Sequence, residues 1–205
     1  MARDTQSITK MSRREGYALH PKALKYMVKR STIPGQHGRS NRRTTTSQYA
    51  LQLREKQKVK RLYGLLERQF SNLMTEATRQ KGQAGSVLLQ LLERRMDNAV
   101  YRAGFATSRR AARQLVTHGH FMLNGRRVDI PSIRISAGDV LIVRPKSQQT
   151  QYFKQLDDIT GNAEVSVSWL KVNRKKFEIS ITGEPSRDEA EPEINEQLIV
   201  EYYSR

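Results

Sequence analysis

Cysteine is absent from the 205 residues, so neither a disulfide nor a thiolate-held zinc can form. The four histidines, His20, His37, His118 and His120, have no acidic partners at metal-ligand spacing, and neither a metal nor another cofactor is expected. No apolar run approaches the roughly 18 residues of a membrane span, and the N-terminus lacks the hydrophobic stretch of an export signal. No terminal helix sets basic residues against a strong apolar face. The expectation is a soluble, unexported, cytoplasmic protein with no membrane partner. A glycine-rich nucleotide loop is missing, as is a nucleophile-and-base constellation, so the chain is not expected to be an enzyme.

Acidic residues are scarce too: 20 Asp and Glu stand against 37 Lys and Arg, for a formal charge of +17. Positions 1–60 hold 15 basic and 3 acidic residues, 61–156 hold 16 and 6, and 157–205 hold 6 and 11, which net +12, +10 and −5. A polyanion is expected at the front and middle, while the tail faces protein or solvent.

What is present is organised around Leu88 to Arg144. Leu88, Leu91, Leu92, Met96, Ala99 and Val100 recur at helical spacing and predict one amphipathic helix, stopped near Gly104. Ser108 is placed to cap a second helix whose apolar side is Ala111, Ala112, Leu115 and Val116. Arg110, Arg113, Gln114 and Thr117 share its other side, with Arg102 and Arg109 nearby and no run of acids to pair them. Such a face suits phosphate and sugar oxygens, and an ordinary solvated helix face is the alternative. Asn124-Gly125 between Phe121-Met122-Leu123 and Arg127-Val128 predicts a hairpin with a primed turn, and Gly138 to Val143 predicts a buried strand. His118-Gly119-His120 fits a helix end and strand start. Lone Asp97 and Asp129 are read as structural.

Residues 1–46 are rich in basic and hydroxyl residues, poor in large apolar ones, and are expected not to fold alone but to order on RNA. Gly35 and Gly38 flank Gln36-His37, where backbone amides could approach phosphate or simply form a surface turn. Thr44 to Ser47 supply caps for a helix from Gln48 with a basic face of Arg54, Lys58 and Arg61. Leu62, Leu66, Phe70 and Leu73 mark a further helix to about Arg79, and Lys81 to Ser86 a break. Past Pro145, Lys146 to Gln151 reads as a connector, and the alternation at Val165, Val167 and Trp169 as a strand, with Trp169 as core in preference to a stacking platform. Asn173 to Lys176 turns this strand back into Phe177, Ile179 and Ile181. Ile194, Leu198, Ile199 and Tyr202 form a last short helix after an acidic linker.

The segment SRRAARQLVTHGHFMLNGRRV resembles the small RNA-binding module shared by a small-subunit ribosomal protein, several pseudouridine synthases and bacterial tyrosyl-tRNA synthetases. Nearly the whole chain resembles the bacterial small-subunit ribosomal protein four family, through Met11 to Gly16, PGQHG at Pro34 to Gly38, QLREKQKVKRLYGLLERQF at Gln52 to Phe70, the central module, and EINEQLIVEYYSR at the end. The resemblance implies an α+β protein. An all-α N-terminal domain (47–87) is completed by the C-terminal helix (186–205), with an α+β RNA-binding domain (88–185) inserted and containing the module 92–152; residues 1–46 are the basic arm. It further implies a ribosomal protein that binds a multi-helix junction in the 5′ domain of 16S rRNA, nucleates assembly of the body, and neighbours small-subunit protein five and the path by which mRNA enters. Some members repress their own operon. Many members hold zinc or an iron-sulfur cluster with cysteines between the REG and PGQHG segments; here that region is short and cysteine-free. A stable homo-oligomer is not expected.

The candidate RNA-binding residues are Arg3, Lys10, Arg13, Arg14, Gln36, His37, Arg39, Arg42 and Arg43 in the arm; Arg54, Lys58 and Arg61 on the first long helix; and Arg102, Ser108, Arg109, Arg110, Arg113, Gln114, His118, Asn124 and Arg127 in the module. The rival classes are an RNA-modifying or RNA-charging enzyme, for which the flanks leave no catalytic domain, and a DNA-binding protein, which would bind duplex DNA as well as folded RNA.

Overall fold

The computed structural model describes residues 4–39, 47–161 and 167–204. They form two compact units, residues 1–86 with 193–205, and residues 87–192.

The first unit is helical: α1 (Ile8–Glu15), α2 (Pro21–Lys29), a 3-10 turn (Gln36–Arg39), α3 (Gln48–Leu62), α4 (Glu67–Arg79) and α11 (Glu196–Tyr203). Its buried residues include Val59, Leu62, Phe70, Met74, Ala77 and Ile199. Ser47 caps α3 by accepting from the Ala50 N–H at 3.3 Å. Residues 8–29, expected to have no fold of their own, carry α1 and α2. Their few apolar side chains are well placed, with Met11, Leu19 and Ala23 buried, and Ser12 Oγ ties α1 to the turn leading into α2 by accepting from the Leu19 N–H at 3.2 Å.

One carboxylate joins three helices of this unit. Glu67, at the start of α4, accepts from Lys56 Nζ and Lys60 Nζ on α3 at 2.7 Å each and from the Tyr203 hydroxyl on α11 at 3.0 Å. Burial pushes its carboxyl up, but the two ammonium groups outweigh burial and hold it at about 2 instead of 4.5. A folded-state value below the unfolded one adds stability above pH 4.5, and that stability is lost as pH falls from 4.5 towards 2. Urea midpoints measured across this window should therefore fall more steeply for the natural chain than for Glu67→Gln. Parallel curves would show that Glu67 is not a stabilising acid.

α5 (Ala84–Glu93) runs from the first unit into the second. The second unit continues with α6 (Met96–Arg102), α7 (Arg109–Thr117), β1 (Phe121–Leu123), β2 (Arg126–Val128), β3 (Val140–Val143), short helices α8 (Pro145–Gln148), α9 (Gln151–Lys154) and α10 (Leu156–Thr160), then β4 (Leu170–Asn173) and β5 (Glu178–Ile181). The five strands form one antiparallel sheet in the order β2-β1-β3-β5-β4. Phe121 faces Val128 on one side and Val143 on the other. Phe105, Phe121, Phe153, Leu141 and Ile179 are fully buried with Ala112 and Val116 of α7, so the helix packs its apolar side into this core. The architecture is α+β, as the sequence implied.

Three expectations are corrected. The helix predicted from Leu88 to Val100 is broken between Glu93 and Met96, because a neighbouring segment takes its backbone groups: Ile135 N–H donates to Arg94 O at 2.9 Å and Met96 N–H to Ile133 O at 2.8 Å. Lys146 to Gln151 belongs to a run of short helices instead of a plain connector, with Pro145 opening α8 and Phe153 and Leu156 buried beyond it. The strand expected at Val165 to Trp169 begins instead at Leu170, paired with Ile181; Val165 and Ser166 lie outside the described residues. Trp169 is buried, which supports core over stacking platform.

Candidate nucleic-acid interface

Ser108 caps α7, accepting from the Ala111 N–H at 3.2 Å, which fixes the rotation of a helix with Ala112 and Val116 inward. Arg110, Gln114, Thr117 and His118 are exposed on the opposite side. The helix ends on Gly119 at φ +69°, a left-handed conformation that glycine adopts without strain. A Cβ at this position would lie 2.8 Å from Arg127 Nε, so the guanidinium of the hairpin residue Arg127 lies directly over the turn. Arg144 reaches the same turn, donating to Gly119 O at 3.1 Å. Cations thus gather at the negative end of the α7 dipole. His120 lies within 3.0 Å of Ser147 Oγ and edge-on to Phe153, and burial, with the charges of His118 and Arg144, lowers its pKa. Arg126 and Arg127 are exposed on the hairpin, so α7 and β2 together present an outward basic surface.

Asn124 turns the hairpin at φ 49°, and its side chain serves the sheet: Nδ2 donates to Asp139 Oδ1 at 2.8 Å, and Oδ1 accepts from the Val140 N–H at 2.9 Å. This is a structural role at a position also named as a candidate RNA contact.

The expectation that no acids pair the arginines of this region is overturned at Arg102, Arg109 and Arg113. Arg102 donates to Glu93 through Nε at 3.0 Å and Nη2 at 2.9 Å. Arg109 donates to Asn98 Oδ1 and to Glu191 Oε1, both at 2.9 Å, and stacks 4.6 Å from the Tyr101 ring centre. Arg113 lies 3.3 Å from Asp97, whose carboxylate also receives Arg95 at 3.0 and 3.1 Å. Glu93 and Asp97 sit at i, i+4 on either side of the helix break, and Glu191 arrives from the acidic linker. The sequence clue was the pair of acids four residues apart, Glu93 and Asp97, within LLERRMDNAV.

On α3 the predicted basic face is likewise engaged within the protein. Arg54 and Arg61 both pair with the buried Glu15 of α1, Arg54 at 3.2 Å. Burial pushes the Glu15 carboxyl up while both guanidinium groups pull it down, and burial wins. Lys58 pairs with Glu55 and donates to Glu193 O, each at 2.8 Å. Arg13 is spent on Thr32 O, at 3.0 and 2.7 Å, whereas Lys10 and Arg14 are exposed on α1. Gln36 and His37 are exposed in the 3-10 turn. The close approach that Gly38 allows is to the chain itself, since a Cβ there would meet Ile33 O at 1.8 Å. Arg3, Arg42, Arg43 and the side chain of Arg39 lie outside the described residues.

Residues 3–93 match the family model "Ribosomal protein S4/S9 N-terminal domain", and residues 94–141 match the "S4 domain" model. Over the full length of both chains, this one is 50% identical to "Small ribosomal subunit protein uS4" of Chloroflexus aurantiacus. It is 52% identical to the protein of the same name from Herpetosiphon aurantiacus and 48% to that of Clostridioides difficile, again at full length. The chain belongs to the uS4 family. This is a family of structural proteins of the small ribosomal subunit and not of enzymes. The two uS4 family models meet between residues 93 and 94, where α5 ends, so the α5–α6 break marks the start of the S4 domain. The α7–hairpin surface lies wholly within that domain.

Proposed function

We propose that this uS4-family chain is a primary 16S rRNA-binding protein of the small ribosomal subunit, acting in the cytoplasm at a multi-helix junction of the 5′ domain and nucleating assembly of the body. The observation that supports it most strongly is the outward set of Arg110, Gln114, His118, Arg126 and Arg127, brought together by the approach of Arg127 to Gly119. These groups neutralise phosphates and release counterions, while the shape of two elements meeting at one turn selects a folded RNA. A second cationic surface lies at the front of the chain. No acid occurs between Glu15 and Glu55, and Lys22, Lys25 and Lys29 are exposed on α2. The family resemblance extends the reading to small-subunit protein five and mRNA as neighbours, and to repression of the protein's own operon through its messenger.

Hydroxyl-radical footprinting on 16S rRNA should protect a 5′-domain junction. Changing Arg110 and Arg126 to Ala should lower the salt slope of binding by about 2, one for each phosphate contact, and leave stability within ~0.5 kcal/mol per site. Equal affinity for duplex DNA, or an unchanged slope, would overturn the assignment.

A further inference from the structure

The linker after β5 lays a carboxylate between two arginines of the second unit. Glu191 Oε1 is 2.9 Å from Arg109 Nη2 and 3.6 Å from Arg102 Nη2, so one oxygen bridges two guanidinium groups. A phosphate oxygen takes the same position between paired arginines. Beneath them the arginines are held differently. The Glu93 side chain is 1% exposed and binds Arg102 through two short bonds, and Asn98 binds Arg109. These inner contacts aim the guanidinium groups whether or not Glu191 is in place. Glu191 is 21% exposed and lies where the backbone forms neither helix nor strand, so its departure unwinds nothing. Just upstream the segment is anchored, with Ala190 buried and Glu189 accepting from the backbone N–H groups of Ser168 and Ser186.

We propose that Arg102 and Arg109 form a single-phosphate site for RNA that Glu191 occupies in the free protein, so that RNA binds there by displacing a built-in counter-ion. This rests on the RNA-binding function proposed above. Residues 183–193 carry five acids and one Arg, so a bound RNA backbone repels the displaced segment and keeps it off. The device favours a ligand that can hold both arginines at once over a lone counter-ion.

The test titrates 16S 5′-domain RNA into the full chain, Glu191→Gln, and Asp188→Asn, which removes the same charge from the same segment. Glu191→Gln is expected to bind about fivefold tighter, the equivalent of one partly exposed ion pair. Asp188→Asn should change affinity much less. In the natural chain, amide exchange around Glu191 should speed up when RNA is added, a readout that does not depend on any variant folding. Equal effects of the two substitutions, weaker binding by Glu191→Gln, or slowed exchange around Glu191 would overturn the displacement while leaving RNA binding intact. Failure of the natural chain to bind the RNA would remove both proposals together.

Discussion

Glu93→Ala is expected to cost about 3–5 kcal/mol, a large share of the roughly 5–15 kcal/mol that holds a domain folded. The Glu93 carboxylate is 1% exposed and accepts Arg102 at 3.0 and 2.9 Å and Asn98 Nδ2 at 2.7 Å. Truncation takes its two short bonds from a guanidinium whose side chain is only 12% exposed, leaving Glu191 at 3.6 Å as a weaker acceptor and little access for water. The loss reaches beyond one pair. Asn98 also receives Arg109, so the ends of α5, α6 and α7 are joined through a single acid. Replacing both partners by apolar residues, Glu93→Leu with Arg102→Met, should cost much less than Glu93→Ala alone, since no buried charge is then stranded. Urea unfolding of the three chains measures this. A loss below about 1 kcal/mol for Glu93→Ala would mean that the pair behaves as a surface ion pair.

This network also shows what could and could not be read from the sequence. Ala112 and Val116 on one side of α7, Ser108 as its cap and Asn124-Gly125 as a hairpin turn are local rules, set by residues within a few positions of one another. They hold in the structure. The opposite side of α7 is not local. Arg110 and Arg113 are three residues apart and look alike in sequence, yet Arg110 is exposed while Arg113 is held 3.3 Å from Asp97, 16 residues earlier. Arg109 finds Glu191, 82 residues later. Periodicity assigns a side chain to a face but does not say which distant acid reaches that face. The α5–α6 break was hidden for the same reason, because the apolar spacing runs through it and the interruption comes from residues 133–135. The same limit governs Arg54 and Arg61, whose partner Glu15 lies on α1. Thus the basic character of the surface was legible, whereas the division between cations that hold the fold and cations that face outward was not.

That division sets the expected salt dependence. Affinity for 5′-domain RNA should fall by about three orders of magnitude between 50 and 200 mM salt if some six phosphates are contacted, each adding about 0.9 to the slope. Arg54, Lys58, Arg61 and Arg113 already meet oxygen acceptors inside the protein, and Arg102 and Arg109 meet RNA only as Glu191 leaves them. The contacts are therefore supplied mainly by exposed cations, among them Lys10 and Arg14 on α1, Lys22, Lys25 and Lys29 on α2, and Arg110, Arg126 and Arg127 in the S4 domain. Changing the three α2 lysines to Gln should lower the slope by about 3, reducing the same salt-driven loss to some fortyfold, with little effect on unfolding. Changing Arg61 to Gln should do the opposite, costing stability by leaving the buried Glu15 carboxylate with one guanidinium fewer while leaving the salt slope near its starting value. A slope that follows Arg61 and ignores the α2 lysines would reverse the assignment of structural and RNA-facing cations in the first unit.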